Sequence, residues 1–76
     1  MRPLGQHFLR SYEVAKFIVD AARINRNDVV IEIGPGKGII TRILASRAQR
    51  VYAIEKDRKL APHLAGLPRN VEIIWG

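Results

Sequence analysis

The stretch Val29-Val30-Ile31-Glu32-Ile33-Gly34-Pro35-Gly36-Lys37-Gly38 begins as an aliphatic strand, breaks into a glycine turn and leads into a helix. Beyond that helix, a second apolar run, Val51-Tyr52-Ala53-Ile54, ends in Glu55. A strand, a glycine turn, a helix and an acid-tipped strand form a βαβ unit suited to a nucleoside ligand. The glycines let the backbone pass close to the ligand. The acid at the tip of the next strand can accept hydrogen bonds from two ribose hydroxyls.

The glycine spacing argues against a dinucleotide. The dinucleotide fingerprint is G-x-G-x-x-G, and the position of its third glycine is occupied by Ile39. A pyrophosphate favours a bare helix N-terminus, whereas Glu32 places a negative charge just before the turn and suits a cationic ligand. Gly-Pro-Gly-Lys-Gly is not a Walker loop either, because Lys37 is followed by Gly38 rather than by Ser or Thr. The pattern E-x-G-x-G-x-G resembles the first motif of class I S-adenosylmethionine-dependent methyltransferases.

Leu4-Gly5-Gln6-His7-Phe8-Leu9 narrows the resemblance. Together with Glu-Ile-Gly-Pro-Gly-x-Gly and Ile-Glu-x-Asp, it is similar to the ribosomal RNA adenine N6-dimethyltransferases, a family that includes the erythromycin-resistance methyltransferases. The family usually has Asn where this chain has His7, and both side chains donate and accept hydrogen bonds. The resemblance covers Leu4 to Gly76. It implies S-adenosylmethionine as cofactor, with contacts at His7, Leu9, Gly34, Gly36 and Glu55. It also implies methyl transfer to adenine N6 groups of ribosomal RNA, with the small ribosomal subunit as partner.

The family's catalytic signature, an Asn/Asp-Leu/Ile-Pro-Tyr/Phe tetrad, does not occur in these 76 residues. Nor does the family's Asp after the third strand. The expectation is an N-terminal fragment that carries the ribose and methionine sites and is inactive alone. Two alternatives stay open: another class I methyltransferase, or a basic RNA-binding or self-associating fragment without turnover.

Thirteen Lys and Arg against seven acids give a net charge of +6, which suits a polyanion such as RNA. The basic residues are spread along the chain, so a solvated surface explains the charge equally well. The absence of cysteine excludes a disulfide framework and a thiolate metal site. His7 and His63 have no carboxylate pair at ligand spacing, so no metal is expected. No apolar run approaches the ~20 residues of a membrane span, and no leader pattern is present, which makes cytoplasm the expected compartment. A chain this short buries only ~60% of its unfolded surface.

The expected fold class is α/β: the first half of a Rossmann-like class I methyltransferase fold, a three-stranded parallel sheet in the order 3-2-1 with helices mainly on one face. Residues 1–10 read as an irregular basic arm and 11–76 as a partial S-adenosylmethionine-binding domain. Ser11 can cap a first helix whose apolar face reads Val14, Phe17, Ile18, Ala21 and Ala22. Asn25-Arg26-Asn27-Asp28 is a turn. Val29 to Ile33 is a strand whose aliphatic run suggests burial on both faces. In the second helix, Ile40, Ile43 and Leu44 are expected to face the sheet, with Thr41, Arg42 and Arg47 elsewhere. Val51 to Glu55 is the second strand. Asp57 caps a third helix with Leu60, Leu64 and Leu67 inward, short or kinked because of Pro62. Val71 to Trp75 is the third strand, with Trp75 covering a sheet edge. An unprotected first strand beside a bare sheet face favours a homo-oligomer.

Overall fold

The computed structural model describes residues 12–76. In chain order it contains α1 (Tyr12–Ala21), β1 (Val29–Ile33), α2 (Ile39–Arg47), β2 (Arg50–Glu55), a 3-10 turn (Arg58–Leu60), α3 (Ala61–Leu64) and β3 (Val71–Trp75). The strands form one parallel sheet in the order β1-β2-β3. Val30 lies opposite Val51, and Val51 opposite Val71. The expected parallel order is therefore present, with β1 at an open edge. The irregular arm, the Ser11 cap, His7 and Leu9 fall outside the described residues.

The sheet buries one face. Val51, Ala53 and Glu55 are buried and Val30 and Glu32 are half-buried, and these alternate positions share one side. Val29, Ile31 and Ile33 point to the other side and are 57%, 66% and 75% exposed. Burial of β1 on both faces is thus corrected. An aliphatic run shows that a strand tolerates burial, but packed helices decide which face receives it. The helices contribute Ala15, Val19, Ile43, Leu44 and Ala45 to a core that also contains Val51 and Ala48, the residue after α2.

The inward face of α1 is also corrected. Ala15 and Val19 are buried, whereas Phe17 is 71% exposed. Ala21 and Ala22 are exposed as well, with Val14 and Ile18 half-buried. α1 packs on α2, and Ala15 shares its cluster with Ala45 and Ala48. Small residues on both sides allow close approach, and a phenylalanine in that seam would force the helices apart. Arg47 of α2 hydrogen-bonds Asp20 of α1.

Side chains close the turns. The Asn25 amide donates to Asp28 Oδ2 at 2.9 Å, and the Asn27 amide to Asn25 Oδ1 at 2.8 Å. Asn70 Nδ2 donates to the carbonyls of Ala45 and Ala48 at 2.8 and 3.2 Å, satisfying the end of α2. Asp57 caps as expected, accepting from the Lys59 amide at 3.0 Å. Pro62 sits in the first turn of α3, where its missing N–H costs no helical bond. Leu64 is buried and Leu60 and Leu67 are half-buried.

Candidate functional site

The glycine turn joins β1 to α2. Gly34, Gly36 and Gly38 have φ of 68°, 60° and 86°, a left-handed backbone that costs other residues roughly 1–2 kcal/mol. The reason for glycine differs along the turn. A Cβ on Gly38 would lie 3.3 Å from Leu67 Cδ2 and 3.4 Å from Leu64 Cδ2, so its absence lets α3 pack against the start of α2. A Cβ on Gly34 or Gly36 would meet nothing within 4 Å. That open space is where a ligand could lie against bare backbone.

Glu55, at the tip of β2, is only 7% exposed. Its Oε1 accepts from the Gly36 amide at 3.4 Å and its Oε2 from the Asp57 amide at 2.9 Å. The carboxylate thus ties the glycine turn to the end of β2. An ionised carboxylate offers about four acceptor positions, so two remain for other donors. The Gly34 amide donates to the Ile54 carbonyl at 2.8 Å and the Gly76 amide to the Glu55 carbonyl at 3.0 Å. These bonds draw the three strand ends together around an open depression of about 250 Å³, lined by Ile33, Gly34, Ile54, Glu55, Lys56 and Gly76. The carboxyl ends of parallel strands are where open α/β sheets receive ligands.

Of the sequence-predicted residues, Gly34, Gly36 and Glu55 therefore come together, while His7 and Leu9 are outside the described residues. Lys56 and Gly76 join the lining without having been singled out; their positions immediately after β2 and β3 were the available signal. Glu32 does not line the depression. Its side chain lies on the helix-covered face, where the Thr41 hydroxyl donates to Oε1. Burial raises the Glu32 carboxyl above its ordinary pKa, and the Thr41 hydrogen bond works against that rise. Thr41 is fully buried, which corrects its expected placement away from the sheet. A hydroxyl can be buried there because Glu32 supplies its partner. Among the described residues, no cluster of three or more His, Cys, Asp or Glu is placed to hold a metal ion.

Parallel strands, a left-handed glycine turn and an acid at the next strand tip define the first half of a Rossmann-like methyltransferase fold. The 23S rRNA methyltransferase ErmE is similar in structure, with a TM-score of 0.74 at 37% identity over 88% of this chain and 29% of that one. A dimethyladenosine transferase from Plasmodium falciparum is similar at a TM-score of 0.72 and 30% identity, over 84% of this chain and 25% of that one. The fold alone does not decide the chemistry. A precorrin 8W decarboxylase from Methanobacterium thermoautotrophicum is also similar at 0.74 and 34% identity, over 84% of this chain and 38% of that one.

The sequence decides the family. The model described as ribosomal RNA adenine dimethylase matches residues 2–75, and the chain belongs to that family. A probable ribosomal RNA small subunit methyltransferase A from Methanococcus aeolicus is 46% identical over 97% of this chain and 28% of its own length. The corresponding protein from Acidobacterium capsulatum is 54% identical over 80% of this chain and 22% of its own. The chain spans about a quarter of the length of these curated relatives.

Proposed function

We propose that this chain is the cofactor-holding part of a ribosomal RNA adenine N6-dimethyltransferase and binds S-adenosylmethionine. The observation that carries this reading is the pairing of Glu55 with open space over Gly34 and Gly36. The residues fit the cofactor. Bare left-handed backbone accommodates its amino-acid end, and two free acceptor positions on Glu55 match two vicinal ribose hydroxyls. S-adenosylmethionine supplies an activated methyl on a sulfonium, so the protein contributes chiefly by positioning. Glu55 orients the ribose and the glycine turn seats the methionine end. Ile33 and Ile54 give the depression an apolar wall. His7 and Leu9 are proposed to contact the cofactor from the N-terminal segment.

The proposed substrate is adenine in ribosomal RNA, on the strength of the family match and of the names of the small-subunit relatives. The proposed setting is the cytoplasm; no helix of the described residues is long and apolar enough to cross a membrane. The 76 residues contain no Asn/Asp-Leu/Ile-Pro-Tyr/Phe tetrad, so the adenine-orienting step is assigned to other parts of such enzymes. Self-association through the open β1 edge or the bare sheet face is proposed for the 76-residue chain.

Titration calorimetry with S-adenosylhomocysteine tests the reading. Measurable binding that Glu55→Ala weakens is the expected result. Absence of binding, or equal binding by both proteins, overturns it.

A further inference from the structure

The end of β2 carries cations to which the cofactor reading assigns no role. Lys56 follows Glu55 and lines the depression. Arg58 and Lys59 follow Asp57, and all three cations are exposed. The two acids among them are engaged with backbone: Glu55 is buried and bonded to the Gly36 and Asp57 amides, and Asp57 caps the turn through the Lys59 amide. The Arg58 guanidinium lies 5.3 Å from the centroid of the Trp75 ring. Trp75 is the β3 residue in register with Glu55. Stacking engages the face of a guanidinium and leaves its N–H edge available for a phosphate.

The ion pairs among the described residues are Lys16–Asp20, Arg47–Asp20 and Arg50–Glu72, and none involves Lys56, Arg58 or Lys59. Lys37 in the glycine turn and Arg42, which donates to the Gly66 carbonyl, also lack an acid partner; so do Arg23, Arg26 and Arg69, but these three sit on turns leading into β1 and β3, at the opposite end of the parallel sheet. Lys56 at the depression, with Arg58 and Lys59 two and three residues further on, therefore forms an exposed ledge of cations without an acid partner among the described residues. A small anion would favour an enclosed pocket; a ledge suits a chain of regularly spaced charges, as in a nucleic-acid backbone.

We propose that Lys56, Arg58 and Lys59 contact the phosphate backbone of RNA and lay the strand across the mouth of the depression. This deepens, and rests on, the methyltransferase reading of the same site. Phosphate contacts set position and orientation without reading sequence, which is what presenting a base to a bound methyl donor requires.

The test is equilibrium binding of a fluorescein-labelled transcript of small-subunit ribosomal RNA to the 76-residue chain across a salt series. Arg58→Gln/Lys59→Gln is compared with Arg26→Gln/Arg69→Gln, which removes the same charge at the opposite end. The ledge variant should lose about tenfold in affinity at low salt, and the slope of log K against log salt should fall by roughly 1.5. The control should change affinity by less than about threefold. Should loss of Arg58 disturb Trp75, Lys56→Gln/Lys59→Gln leaves the stack intact and should show the same fall in slope. Equal losses in ledge and control variants overturn the proposal, because net charge would then explain binding. Polyglutamate competing as well as RNA at equal charge also overturns it, in favour of an acidic-protein partner. S-adenosylhomocysteine titration keeps the two readings apart. Its failure with wild-type protein sinks the cofactor reading, whereas a ledge variant that binds RNA normally sinks the ledge alone.

Discussion

Glu55 accepts a hydrogen bond from the Gly36 amide at 3.4 Å, across a sequence separation of 19 residues. This contact joins the two halves of the βαβ unit where a ligand would lie. The carboxylate holds the glycine turn in place, and beyond the two amides it accepts from, it retains acceptor capacity. Its removal should affect both the scaffold and the ligand.

Glu55→Ala should weaken S-adenosylhomocysteine binding by about 1–3 kcal/mol, the cost of leaving polar partners unpaired. It should also lower the urea midpoint, since the Gly36 and Asp57 amides lose their acceptor. Calorimetry and denaturation on the same variant separate the effects: a lower midpoint with unchanged ligand affinity would restrict Glu55 to a scaffold role.

The three turn glycines should respond differently to alanine. Each loses roughly 1–2 kcal/mol of stability from its left-handed backbone. Gly38→Ala should lose more, because its Cβ would crowd Leu64 and Leu67. Gly34→Ala and Gly36→Ala add no such crowding, yet their methyl groups would occupy the ligand's space. Denaturation should rank Gly38→Ala worst, and calorimetry should show binding lost in the other two as well.

Glu32 should make stability fall as pH rises. Burial raises its pKa in the folded chain, so the folded state holds its proton over a range in which the unfolded state has released it. Its contribution is most favourable at or below the ordinary carboxylate range and declines as pH climbs through the raised value. Glu32→Gln can still accept from Thr41 and never ionises. Urea denaturation should find the variant more stable than wild type at neutral pH, with the gap closing in acid. A gap independent of pH would count against a raised Glu32.

The aliphatic edge and face of β1 should make the 76-residue chain self-associate. Val29, Ile31 and Ile33 present an exposed apolar row with no lysine or proline to protect the edge. Sedimentation should show a symmetric dimer as the first association state, and Ile31→Lys should shift it toward monomer. A wild-type chain that stays monomeric at high micromolar concentration would contradict this.

Purified 76-residue chain should transfer no labelled methyl groups to ribosomal RNA. Scintillation counting above background, in a preparation free of any longer enzyme, would show that adenine can be oriented without the tetrad.

Much of the fold was legible because its signals are local. Val29–Ile33 and Val71–Trp75 are aliphatic runs bounded by turn residues, and both begin and end where expected. The glycine turn and Glu55 were legible because left-handed backbone and an acid after an apolar strand are chemically narrow requirements. What only the tertiary structure decided was facing. Periodicity admitted Phe17 to the buried side of α1, but packing against Ala45 and Ala48 selected Ala15 and Val19. β1 read as buried throughout, yet helices lie against one face and Ile31 and Ile33 remain on the other. Thr41 read as lying off the sheet-facing side of its helix, yet it is buried, with Glu32, nine residues earlier in the chain, giving its hydroxyl a partner. Arg58 found Trp75 only because β2 and β3 run side by side. Backbone conformation is dictated by a few neighbouring residues, whereas burial and pairing depend on segments that meet only after the chain has folded.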